Sequence, residues 1–154
     1  MKVGDYCVRD VVCVEPKASL YTVAEMMRHH HVGSVLVASS AQGSGTQRNS
    51  APLGIITDRD LVIEVIAPRI DPDTVVAEDV MSFKLIVARE DDELWDAVHR
   101  MEQDSVRRIP VVNSNEQLVG IFCLDDLLKV VASELSGIAN LVTYERNREA
   151  VVRR

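Results

Sequence analysis

The sequence predicts an α/β (α+β) fold made of two tandem β-α-β-β-α repeats packed as one pseudo-twofold module. Three observations carry this expectation. The segment Gly54-Ile55-Ile56-Thr57-Asp58-Arg59-Asp60-Leu61 returns in altered form as Gly120-Ile121-Phe122-Cys123-Leu124-Asp125-Asp126-Leu127. Residues elsewhere repeat as well: Asp5, Met27 and Val32 recur as Asp79, Met101 and Val106 at an offset of 74, and Gly54 and Asp60 recur as Gly120 and Asp126 at an offset of 66. Constant offsets are a stronger sign of duplication than one matching motif. In each copy, finally, short β-branched runs and helical spacing alternate in the same order.

The elements follow in turn. Val11, Val12 and Val14 make a short strand before Glu15-Pro16, and Val23, Ala24, Met26 and Met27 recur at helical spacing until His29 to His31 and Gly33 end the helix. Val35-Leu36-Val37 and Ile55-Ile56 are two β-branched runs. The difference between the offsets marks an eight-residue insertion between them, in the Gly/Ser/Gln/Asn-rich stretch 39–52. Such a composition cannot order itself by burial and reads as a mobile hairpin tip. Asp58 to Ile66 is a helix ending at Pro68. The second copy repeats the series: Ile86-Val87; Leu94, Ala97, Val98 and Met101; Ile109 with Val111-Val112; Ile121-Phe122; and a helix from Asp125 to Leu135. Neither half has enough strands to close its own sheet, so the two sheets are expected to pack about a pseudo-twofold axis with clefts between the copies. The expected organisation is a first repeat over 1–68, a second with its linker over 69–135, and a helical extension over 136–154.

Composition narrows the function classes. With 154 residues, 47% of them hydrophobic, the chain can bury roughly two thirds of its unfolded surface, enough for one domain of two halves. No apolar run approaches the roughly 18 residues of a membrane span, and the first ten residues lack the apolar centre of a secretion signal, so a cytoplasmic location is expected. Cys7, Cys13 and Cys123 are odd in number and show no metal-ligand spacing, which suits small buried residues in a reducing compartment. A net charge of −7 and a pI near 5.0 oppose affinity for nucleic acid. The basic residues Arg146, Arg148, Arg153 and Arg154 alternate with Glu145 and Glu149 and read as a solvated helix face, with contact to nucleic acid or anionic lipid as the other reading. Consecutive helical residues diverge by about 100°, so His29, His30 and His31 do not converge on one metal ion and are read as favourable cations at a helix C-terminus.

Two copies that each carry Met-x4-Val and end in Gly-Ile-x-x-x-x-Asp-Leu, joined through Asp79-Val80-Met81, resemble a tandem pair of cystathionine-β-synthase (CBS) domains, or Bateman module. Val106-Arg107-Arg108-Ile109-Pro110-Val111-Val112 is close to the family's second-strand pattern, and the resemblance covers residues 1–135. It implies a regulatory role without catalysis and an adenosine-containing ligand in the clefts: AMP, ADP or ATP, with S-adenosylmethionine and NADH as further candidates. No resident cofactor is implied.

The motif itself has a chemical logic. A strand that turns tightly into a helix aims free backbone N–H groups and the positive dipole end at one spot, which favours a phosphate. Asp60 in the first helical turn can accept from both hydroxyls of a ribose, and the family's pattern has an aspartate at this position doing so with Thr57 close by. Thr57 and Asp60 also fit a helix capping box, and the two roles are compatible. By the resemblance each aspartate works with the second-strand start of the other copy. That gathers Ile55, Thr57, Arg59, Asp60, Val106, Arg107 and Arg108 in one cleft, and Asp126, Ile121, Val32, Gly33 and Ser34 in a weaker second one. The first holds three arginines for a phosphate. The second has adjacent Asp125 and Asp126, with Cys123 in place of threonine, and so suits a less charged ligand or none. Arg107 and Arg108 have an alternative use, pairing with Asp91, Asp92 or Glu93.

No nucleophile is paired with a histidine by a motif, so catalysis has no residue-level support. The leading expectation is a stand-alone sensor of adenosine nucleotides that regulates an unknown partner protein through the shape of a homodimer. The alternative is an assembly module with vestigial clefts. Helix residues Met26, Met27, Leu61, Val65, Leu94, Trp95, Val98 and Leu127 are expected to offer the dimer surface, with Ile138, Leu141 and Val142 reaching a partner.

Overall fold

A computed structural model describes residues 1–39 and 50–152. Most of the expected hairpin tip therefore lies outside the described residues. The order of elements is α1 (Val3–Tyr6), β1 (Cys13–Val14), α2 (Leu20–His30), β2 (Ser34–Ala38), β3 (Pro52–Thr57) and α3 (Asp58–Leu61), which runs into a π-helical turn at Val62–Ile66. Then come α4 (Ala77–Val80), β4 (Ala88–Arg89), α5 (Leu94–Gln103), β5 (Arg108–Val112), β6 (Leu118–Cys123) and α6 (Leu124–Val152).

The strands form two three-stranded sheets of the same design, β1-β2-β3 and β4-β5-β6, each with its first pair parallel and its second antiparallel. Duplication extends to the register. Ser34 faces Thr57 as Arg108 faces Cys123, and a bulge interrupts the ladder between Val37 and Ala38 and again between Val111 and Val112. The first strand of the second copy, expected at Ile86-Val87, falls instead at Ala88–Arg89, where the parallel ladder with Val111 and Val112 is made.

Each sheet buries one face beneath its helices. Val23 and Met27 of α2, with Leu20 at its start, meet Val35, Val37 and Ile56; Leu94, Ala97 and Met101 of α5 meet Ile109, Val111 and Phe122. Ser19 caps α2 by accepting from the Thr22 N–H at 3.2 Å. His31 ends that helix in the left-handed conformation at φ 54°, and Ser105, its counterpart 74 residues on, has the same φ. Met27, Val65, Leu94 and Leu127 were expected on a dimer surface, but they belong to these cores; Trp95 stays half exposed. The helical spacing that singled them out marks the face turned to the sheet, and residues one step round are the ones left in solvent.

The two short helices connect the halves. Val3 of α1 packs into the core of the second sheet, while Ala77 and Met81, at the two ends of the α4 segment, pack into the core of the first. Backbone bonds tie them down in matching fashion: Val8 exchanges N–H···O bonds of 2.9 Å with Ile121 beside β6, and the Ser82 N–H donates to Ile55 O beside β3 at 2.9 Å. Each crossing segment passes over a glycine. A Cβ on Gly54 would lie 2.5 Å from Met81 Sδ, and one on Gly120 would lie 2.5 Å from Cys7 Sγ and 3.0 Å from Val8 O. The repeated Gly-Ile of the motif thus has a packing cause, because only a residue without Cβ lets the crossing chain lie so close.

The second-copy helix does not stop near Leu135. It runs unbroken as α6 from Leu124 to Val152, 29 residues in all, about 43 Å at 1.5 Å per residue. Leu127 and Val130 bury themselves in the second core, whereas Leu135, Ile138, Leu141 and Val142 are exposed.

Candidate ligand-binding site between the repeats

Two strand-to-helix turns set the chemistry. At the first, Thr57 and Asp60 form a full capping box: Asp60 Oδ2 accepts from the Thr57 N–H and from Thr57 Oγ1, both at 2.7 Å, and Thr57 Oγ1 accepts from the Asp60 N–H at 3.3 Å. Asp60 Oδ1 accepts from nothing among the described residues. At the second turn, Asp126 is buried; its Oδ2 accepts from the Cys123 N–H at 3.2 Å and from Cys123 Sγ at 2.7 Å, and its Oδ1 pairs with Lys129 Nζ at 3.1 Å. Burial, and then the bond to Asp126, push the Cys123 thiol above its ordinary range, so it stays a donor. The capping reading of the sequence is therefore found at the first turn, and the second keeps half of it with sulfur in place of oxygen.

A cavity of about 280 Å³ opens between the repeats on the Asp126 side. This is near the lower end of the roughly 300–1,000 Å³ typical of small-molecule clefts. Its walls bring together Ile121 and Asp126 with Val32, Gly33 and Ser34, the set expected for the second cleft. They also include Arg107 and Arg108, which the sequence reading turned toward Asp60. The reason is reach: Arg108 Nη1 crosses to the other repeat and donates to Ser34 Oγ at 2.5 Å, next to Gly33, which has no side chain to obstruct it. Ile55, Thr57, Arg59, Asp60 and Val106 are not among these walls. Asp91, Asp92 and Glu93 take other partners: Arg89 for the first, Arg100 for the second and Lys2 for the third.

Sequence reasoning missed part of the lining. Val8, Asp10, Val11, Val12 and His31 stand in the walls because the N-terminal segment returns to β6 and because α2 ends in a left-handed turn at the cleft. The 74-residue offset that relates Val8 to Ser82 and His31 to Ser105 was the available signal. No cluster of three metal-ligating side chains occurs among the described residues, and none of their helices is long and apolar enough to cross a membrane.

A sequence profile of the CBS domain matches residues 3–67 and again residues 76–133. The chain belongs to the CBS domain family. This CBS pair is 38% identical over 130 residues to an uncharacterised protein of Methanopyrus kandleri, a match covering 84% of this chain and 62% of that one. It is 33% identical over 138 residues to the CBS domain-containing protein YhcV of Bacillus subtilis, covering 89% and 91%. Among solved structures, a CBS domain protein of Pyrobaculum aerophilum complexed with AMP superimposes with a TM-score of 0.73 at 22% identity, covering 89% of this chain and 99% of that one. That likeness shows the same fold.

Proposed function

We propose that this CBS pair is a regulatory module that binds an adenosine-containing ligand of the AMP, ADP or ATP class between its repeats and signals through the conformation of a homodimer. The observation that carries the reading is the inter-repeat cavity. It offers Val11, Val12, Leu36 and Ile121 to a base, a buried carboxylate at a helix start to ribose hydroxyls, and two arginines to a phosphate. Lys129, the partner of Asp126 Oδ1, is 77% exposed and its long side chain can swing into solvent, so a ribose hydroxyl can take its place on Asp126. The AMP held by the Pyrobaculum protein supports the ligand class.

A ligand that binds only the folded state adds about 2.7 kcal/mol at a hundred times its Kd, which for this size of chain raises the melting temperature by several degrees. Millimolar AMP, ADP, ATP, S-adenosylmethionine and NADH, each tested in a thermal melt, should include at least one that does so. A curve unmoved by all five would favour a ligand-free assembly module. Asp126→Asn should weaken binding more than Asp60→Asn, because the enclosed space and both arginines lie on its side. The reverse order in a calorimetric titration would return the Asp60 cleft to first place.

A further inference from the structure

Ser34 and Arg108 are equivalents under the duplication, 74 residues apart, and they bond to each other. A bond between equivalent positions lies at the pseudo-twofold axis, between the cavity on the Asp126 side and the strand-to-helix turn that carries Asp58 and Asp60. The copies differ there in charge. The first contributes Gly33 and Ser34 and the second contributes Arg107 and Arg108, so the guanidinium at the axis has no symmetric twin.

That group lies near both helix starts. A Cβ on Gly33 would stand 3.3 Å from Asp58 Oδ2, in the first residue of α3, and 4.0 Å from Arg108 Nη1. On the other side Arg108 shares the cavity wall with Asp125 and Asp126, in the first turn of α6. Two phosphates drawn to one guanidinium repel each other, and the nearby carboxylates add no attraction for the second.

We propose that Arg108 selects for phosphate-bearing nucleotides and that, standing singly on the axis, it serves one cleft at a time, so that the module takes one such nucleotide tightly and a second weakly. The proposal rests on the adenosine-ligand reading above. Binding of the first phosphate draws the guanidinium from Ser34, whose hydroxyl is a neutral acceptor, to a charged one, and the exchange favours the charged partner.

Calorimetric titration of the full chain with AMP and with adenosine tests both parts. For the unaltered protein, AMP should bind at one tight site per chain, about tenfold or more tighter than adenosine, and a second AMP should bind at least about tenfold more weakly than the first. Arg108→Gln should bring AMP down to the affinity of adenosine while adenosine changes less than about twofold. Ser34→Ala removes the neutral acceptor that competes with the phosphate for the guanidinium, so AMP should bind about twofold or more tighter; this variant carries the test if Arg108→Gln does not fold. Two equal AMP sites per chain, an AMP advantage that survives Arg108→Gln, or unchanged or weaker AMP binding in Ser34→Ala would each overturn the proposal while leaving the ligand class intact. Absence of binding by both adenosine and AMP would sink the ligand reading, and this proposal with it.

Discussion

Burial alone pushes the Cys13 thiol from 9.0 up to about 11. The fold holds this group in its neutral form, which fixes the sign of the pH dependence. Below pH 9 both folded and unfolded thiols keep their protons and the contribution is complete. Between about 9 and about 11 the unfolded chain loses a proton that the folded chain retains, so stability falls across that window and the contribution is gone above it. Urea unfolding at pH 8.5 and 10.5 should show a larger loss for the unaltered protein than for Cys13→Val; equal losses would place the alkaline sensitivity elsewhere. The same scale shows what single residues reveal before folding. The Thr57–Asp60 capping box was legible because its spacing and residue types imply its bonds. The direction taken by Arg108 was not, since a long flexible side chain goes where charge and space allow, and here that is Ser34 in the other repeat.

Among the elements, the crossing segments give the two glycines of the motif their purpose. Gly120→Ala should cost about 1–3 kcal/mol, as overpacked sites generally do, because Val8 O is backbone and cannot turn aside. Gly54→Ala should be partly relieved by Met81→Ala, whose side chain supplies the three atoms nearest the new methyl. A double-mutant cycle by urea unfolding measures that coupling, and strictly additive losses would count against the packing account. The long strands and the helices α2 and α5 were legible from alternation and from spacing near 3.6. The helices α1 and α4 were not, for four residues are too few to display a period. A helical extension over 136–154 was expected, but its unbroken join to the helix before it was not, because Ser136, Gly137 and Asn140 weaken helix propensity without ending the helix.

For the whole molecule, the duplication leaves matching apolar groups in solvent. Tyr21 and Trp95 are equivalents on α2 and α5, and Val62 after α3 corresponds to Leu128 on α6; each is half exposed or more. Apolar surface repeated on both halves suits a twofold partner that buries equal areas from each. Light scattering should give twice the chain mass of 17.1 kDa. The double variant Trp95→Glu, Leu128→Glu should give the single mass with an unchanged far-ultraviolet circular dichroism spectrum. A monomeric unaltered protein at micromolar concentration would refute signalling through dimer geometry. The return of the N-terminal segment to β6 also has a consequence for biosynthesis. Val8 leaves the ribosome well before its partner Ile121, which is made more than a hundred residues later. The first sheet can be sealed once Ser82 has emerged, whereas Val3, Cys7 and Val8 must wait for nearly the whole family-matched region. At roughly 5–20 residues per second, this early-made segment is therefore late to find its place, and for several seconds it is open to proteases and chaperones while the half that follows it can already be folded.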